Sequence, residues 1–115
     1  MRVTTDLWVS ALLRRVFSAG DFAAVIKRGA TEAGAVFVMT RDHFGELRLY
    51  GPASQTSYTS VKPDDRQFTL LEDAVDEKSI DKRLERERRF DPDVWVVEIE
   101  AEPESVEELL EITTP

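Results

Sequence analysis

Apolar residues near the start of the chain recur at helical spacing. At 100° per residue Trp8, Val9, Leu12, Leu13, Val16 and Phe17 share one half of a helical wheel, with Ser10, Arg14 and Ser18 opposite. Thr5 and Asp6 offer a cap and a first-turn acid, and Gly20 suits a left-handed stop, so the pattern predicts a helix from Asp6 to Ala19. Burying side chains of this size contributes about 1.5–3 kcal/mol each before entropy, which commits this helix to the core.

The spacing then shortens. Phe22–Ile26, Ala35–Met39 and Leu47–Tyr50 are branched or aromatic runs bounded by turn residues, and they predict three strands, although Phe22, Val25 and Ile26 also suit one helical turn. Short connections at 29–34 and at Asp42–Gly45 predict antiparallel neighbours in a meander, with Gly45 where a hairpin needs a positive φ. Residues 51–60 are polar, hydroxyl-rich and opened by Gly-Pro, and read as a loop with Tyr58 as its anchor. Gln67–Glu72 predicts a fourth strand. Lys78–Phe90 predicts a charged surface helix with a narrow Ile80 and Leu84 stripe, stopped by Asp91-Pro92.

Val94–Ile99 carries apolar residues on both faces, as expected of a strand covered on both sides. Pro103 with Val106, Leu109 and Leu110 predicts a short final helix that must dock to persist. The order α-β-β-β-β-α-β-α implies an α+β fold: a single-layer, mostly antiparallel sheet of about five strands with helices packed against it. One such domain is expected over residues 1–102, with 103–115 an acidic C-terminal segment forming the docked helix.

Composition narrows the chemistry. The chain has 115 residues and no Cys, which removes disulfides, thiolate metal sites and cysteine nucleophiles. Its apolar runs are too short for a membrane span or a secretory signal, so the expected compartment is the cytoplasm. Fifteen Lys and Arg against 23 Asp and Glu give a net charge of −8, and no basic residue follows Arg89. That balance disfavours nucleic acid as a partner. Positive charge nevertheless gathers in the N-terminal half at Arg14, Arg15, Lys27, Arg28, Arg41 and Arg48, with Phe37 and Tyr50 as stacking surfaces, and a weak nucleic-acid binder is one alternative.

His43 is the one histidine, and its place in a turn beside Asp42 reads as a solvated residue rather than a catalytic base. Asp64 and Asp65, joined by Asp91 and Asp93, are the candidates for holding Mg²⁺ in a carboxylate-based hydrolase, the second alternative; adjacent side chains diverge, so such a site needs a third carboxylate from elsewhere. No Gly-rich phosphate loop, serine elbow or His-rich metal pair is present.

The Thr5–Arg15 opening, Gly34–Val38, Leu49–Ala53 and the run Glu87–Glu98 together resemble a small alphaproteobacterial family, Domain of Unknown Function 1491, over about 100 residues. The resemblance implies a bacterial cytoplasmic protein and transfers no catalytic residues. The reading is therefore a non-enzymatic binding or regulatory module without a cofactor. It recognises a protein or small ligand through the 51–60 loop, with Arg14, Tyr50, Ser54, Gln55 and Tyr58 as binding residues. A homodimer through the Ile80 and Leu84 stripe, or through Val106, Leu109 and Leu110, is a further expectation.

Overall fold

Thr4, rather than Thr5, starts the first helix. Its backbone is extended and its hydroxyl accepts a hydrogen bond from the Leu7 N–H at 3.3 Å, satisfying one donor of the first turn. Helix α1 runs Thr5–Ser18 in a computed structural model that describes residues 3–53 and 66–113. Past the helix Gly20 adopts φ 86°, a conformation that costs a glycine little. Val9, Leu12 and Val16 are buried, and Trp8 and Leu13 pack beside them. Phe17 departs from the wheel: it is half exposed and meets Phe22 edge-on at 5.9 Å, because the last turn of α1 lies beside the edge of the sheet.

The strands are β1 (Phe22–Lys27), β2 (Val36–Arg41), β3 (Leu47–Pro52), β4 (Gln67–Val75), β5 (Trp95–Glu100) and β6 (Glu111–Ile112), in the spatial order β1-β5-β2-β3-β4-β6. The fold is α+β, with a six-stranded mixed sheet and three helices among the described residues. Residues 22–27 are strand, not helix. The β2–β3 hairpin forms with Met39 opposite Leu49 and closes through Gly45 at φ 84°, and β3 pairs antiparallel with β4.

The first link of the predicted meander does not form. Strand β5 inserts between β1 and β2, antiparallel to β1 and parallel to β2. The 29–34 connection is therefore no hairpin turn but a bridge over the start of β5, held by Ala30 N–H to Asp93 O at 2.9 Å. The same bridge ties down α1, since the Asp6 N–H donates to Thr31 O and the Thr5 N–H to Glu32 O. A strand apolar on both faces gains most in the interior of the sheet, and that gain outweighs the local preference for pairing neighbours.

Alternation along the strands then builds two cores. Trp95, Val97 and Ile99 of β5 join Val36, Val38, Tyr50 and Phe68 beneath α1 on one face. Phe37, Leu47, Leu49 and Val94 pack with Ile80 of helix α2 (Glu77–Phe90) on the other. Helix α3 (Pro103–Leu109) lies with α1, and Val106 and Leu110 are buried there. The two crossovers, β4-α2-β5 and β5-α3-β6, travel in opposite directions across the sheet, so a common hand places them on opposite faces. Ile80, Leu84, Val106 and Leu110 all serve these cores, which leaves neither predicted dimer face available. Among the described residues no helix is long and apolar enough to cross a membrane.

Candidate functional site

Polar side chains gather at the two ends of the sheet, and the ends differ. At the hairpin end, the Asp42 Oδ1 accepts the N–H groups of Phe44, at 2.9 Å, and Glu46, at 3.0 Å, closing the turn. Arg48 reaches Asp42 at 3.4 Å and Asp73 of β4 at 2.8 Å. Burial pulls the Asp42 carboxyl upward, but the two N–H groups and Arg48 outweigh it and hold the group below the usual carboxylate range. Arg41 sits between Glu77, at 3.3 Å, and Glu98, at 3.6 Å.

Next to this network the His43 Nδ1 meets Glu102 Oε1 at 2.6 Å, while the His43 N–H donates to the other oxygen, at 2.9 Å. The Glu102 carboxylate raises the imidazole above its ordinary value, and the imidazole in turn lowers Glu102. This bidentate contact pins the hairpin to the residue that precedes α3. Its aromatic neighbour is Phe44, with ring centroids 3.9 Å apart. The described contacts of His43 include no hydroxyl that it could activate as a nucleophile.

The opposite end is built from the starts of α1, β2, β4 and β5. Gly34 fits here because a Cβ would lie 2.5 Å from Asp93 O and 2.8 Å from Trp95 Cδ1. The Trp95 indole N–H donates to Ala30 O at 2.8 Å, and the Arg28 guanidinium covers its ring at 4.8 Å while pairing with Asp6. Arg66, the residue that leads into β4, lies 5.5 Å above the Trp8 ring, which itself packs on Phe68. The Arg66 guanidinium donates to the Thr5 hydroxyl and, at 3.3 Å, to Gly34 O, while Thr5 Oγ1, fully buried, donates to the same carbonyl at 3.0 Å.

Both acceptors are neutral. Among the described residues no carboxylate pairs with Arg66, and burial pushes its guanidinium below the ordinary value. Ala53 and Arg66 both lie at this end, where the Ala53 N–H donates to Gln67 O at 2.9 Å.

The predicted binding residues do not converge among those described. Tyr50 is buried in the main core, where burial raises its hydroxyl, and Arg14 is exposed on the outer face of α1. Ser54, Gln55 and Tyr58 lie outside the described residues, as do Asp64 and Asp65. Asp91 and Asp93 form the turn after α2, with the Asp93 N–H donating to Asp91 Oδ1, and among the described residues no three His, Cys, Asp or Glu side chains come together to hold a metal ion. Sequence reasoning passed over Arg66. The available signal was the pair of tryptophans, the only two in the chain, each of which carries an arginine.

The profile of a family described as "Protein of unknown function (DUF1491)" matches residues 3–109. The chain belongs to the DUF1491 family. Solved structures agree with this membership. The solution structure of protein Atu0922 from A. tumefaciens is 45% identical, with a TM-score of 0.85 over 100% of this chain and 98% of its own. The crystal structure of a DUF1491 family protein from Caulobacter crescentus CB15 is 39% identical, with a TM-score of 0.71 over 87% of this chain and 88% of its own. An NMR structure of a DUF1491 family protein from the same organism is 34% identical, with a TM-score of 0.77 over 98% of each chain. No curated protein matches this DUF1491 chain.

Proposed function

We propose that this DUF1491 protein is a small cytoplasmic binding module, not an enzyme, and that it takes an anionic group of its partner, a carboxylate or a phosphate, at the tryptophan–arginine end of the sheet. The observation that carries this reading is Arg66: a half-buried guanidinium laid on Trp8 and hydrogen-bonded, among the described residues, only to neutral oxygens. Removing a cation from water without an opposing charge is costly, and the aromatic face returns only about 0.5–2 kcal/mol. A ligand anion completes the electrostatics and meets a planar fork suited to carboxylate or phosphate. Arg28 adds a second guanidinium at the same end of the sheet.

The expectation that residues 51–60 take part in binding fits this placement, because Ala53, whose N–H donates to Gln67 O, lies next to the strand that Arg66 leads into. The test is thermal-shift titration with inorganic phosphate and with acetate at constant ionic strength. The wild type gains stability saturably with one or both anions; Arg66→Gln loses the response, and Arg66→Lys, which keeps the charge but not the fork, retains a weaker one. An equal response in wild type and Arg66→Gln contradicts the proposal.

A further inference from the structure

A guanidinium offers its N–H groups as two forks, one end-on between Nη1 and Nη2 and one side-on between Nε and Nη2. Arg66 uses the end-on fork inside the fold: Nη1 donates to Gly34 O and Nη2 to Thr5 Oγ1, two oxygens that lie 3.0 Å apart. Trp8 covers one face of the group, so an approaching ligand meets its edge. Among the described residues the Nε–H has no partner, and the buried side-chain atoms that lack one are Asp21 Oδ2 and Thr69 Oγ1. The Nε–H is therefore open to the surface, and the side-on fork is what Arg66 presents.

The surroundings of this fork select the anion. Phosphate sites draw on several backbone N–H groups, typically at a helix N-terminus. Helix α1 has none to give: the Thr5 N–H donates to Glu32 O, Asp6 to Thr31 O, Leu7 to Thr4 Oγ1 and Trp8 to Thr4 O. The positive charge is single as well. Arg28 lies at the same end, over Trp95, but Asp6 neutralises it at 2.8 Å. A carboxylate brings one negative charge and two coplanar oxygens, which one guanidinium and one fork complete. A phosphate dianion brings a surplus negative charge to a half-buried site in a chain of net charge −8, together with oxygens that find no donor.

Resting on the anion site proposed above, we infer that the group it takes is a carboxylate, bound side-on across the Nε–H and Nη2–H of Arg66, and that Asp6 sets this preference by keeping Arg28 neutralised. Phosphate meets the same fork and binds several-fold more weakly.

The test compares sodium acetate with sodium phosphate in thermal-shift titrations at fixed ionic strength and mildly alkaline pH, where phosphate is a dianion, while the Arg66 Nε–H resonance is followed. Acetate binds several-fold more tightly than phosphate and moves the Nε–H. Asp6→Asn, which frees Arg28, narrows or reverses that ratio by raising the affinity for phosphate. Adding Arg28→Gln to Asp6→Asn restores the preference, an effect of charge that a disturbed helix would not produce. N-acetylated trialanine, set against its C-terminal amide, separates the sources of the carboxylate: tighter binding than acetate, lost in the amide, assigns a peptide terminus, and binding equal to acetate assigns a small free acid. Phosphate binding as tightly as acetate, an unchanged ratio in Asp6→Asn, or a stationary Nε–H overturns the inference, and the anion site itself survives if Arg66→Gln still abolishes binding. No response to either anion removes the site as well.

Discussion

The hairpin end and the tryptophan–arginine end use the same side-chain types to opposite effect. At the first, Arg48 is shared by Asp42 and Asp73, and Arg41 by Glu77 and Glu98, so every guanidinium has a carboxylate. At the second, Arg28 keeps one carboxylate, Asp6, while Arg66 rests on an indole and two neutral oxygens. A satisfied network fixes geometry, whereas a half-buried charge without its counter-charge is stability withheld from the fold and available to a ligand. The difference teaches where to look for function in a fold whose one histidine is tied to Glu102.

The largest expected effect comes from crowding the tryptophan–arginine end. Gly34→Val drives a side chain into Asp93 O and the Trp95 ring, and chemical denaturation should show a loss of about 3 kcal/mol or more. Substituting the two arginines contrasts the ends directly. Arg48→Met leaves Asp42 and Asp73 without their partner and should cost about 1–3 kcal/mol. Arg66→Met exchanges an uncompensated charge for an apolar chain and should leave stability unchanged or raise it by about 1 kcal/mol. Equal losses at both positions would erase the distinction.

The His43–Glu102 contact provides a pH signature of the hairpin end. His43 is raised in the fold, so its contribution is complete below the unfolded value of 6.5 and is lost as pH climbs through the higher folded value. Glu102 is lowered, so its contribution is complete above 4.5 and is lost as pH falls through the lower folded value. The melting temperature of the wild type should thus exceed that of His43→Gln most between these two values, and the gap should narrow as pH rises through the raised folded value. The smallest effect is expected at Ala74, which holds φ 53° where the register slips between Leu47 and Arg48. Ala74→Gly should relieve the left-handed strain and stabilise by up to about 1 kcal/mol.

Much of this architecture is legible in the sequence because it is local. The helical stripe of Leu12 and Val16, the Asp42–Gly45 turn and the Asp91-Pro92 stop each depend on residues a few positions apart. The position of β5 is not local. Its two apolar faces announce an interior strand, but which neighbours it separates is set by the bridge from Ala30 to Asp93, 63 positions along the chain, that no periodicity encodes. The surroundings of Tyr50 and Arg66 are not local either. A tyrosine ending a strand and an arginine in a polar turn look alike from sequence, yet packing buries the first in the core and lays the second on Trp8.

One spectrum addresses both ends together. In a protein labelled at the arginine side chains, the Nε–H resonances of Arg66 and Arg48 are followed during titration with inorganic phosphate at fixed ionic strength. The account predicts a saturable shift of Arg66 while Arg48, held by its two carboxylates, stays in place. A stationary Arg66, or parallel movement of the two, contradicts it.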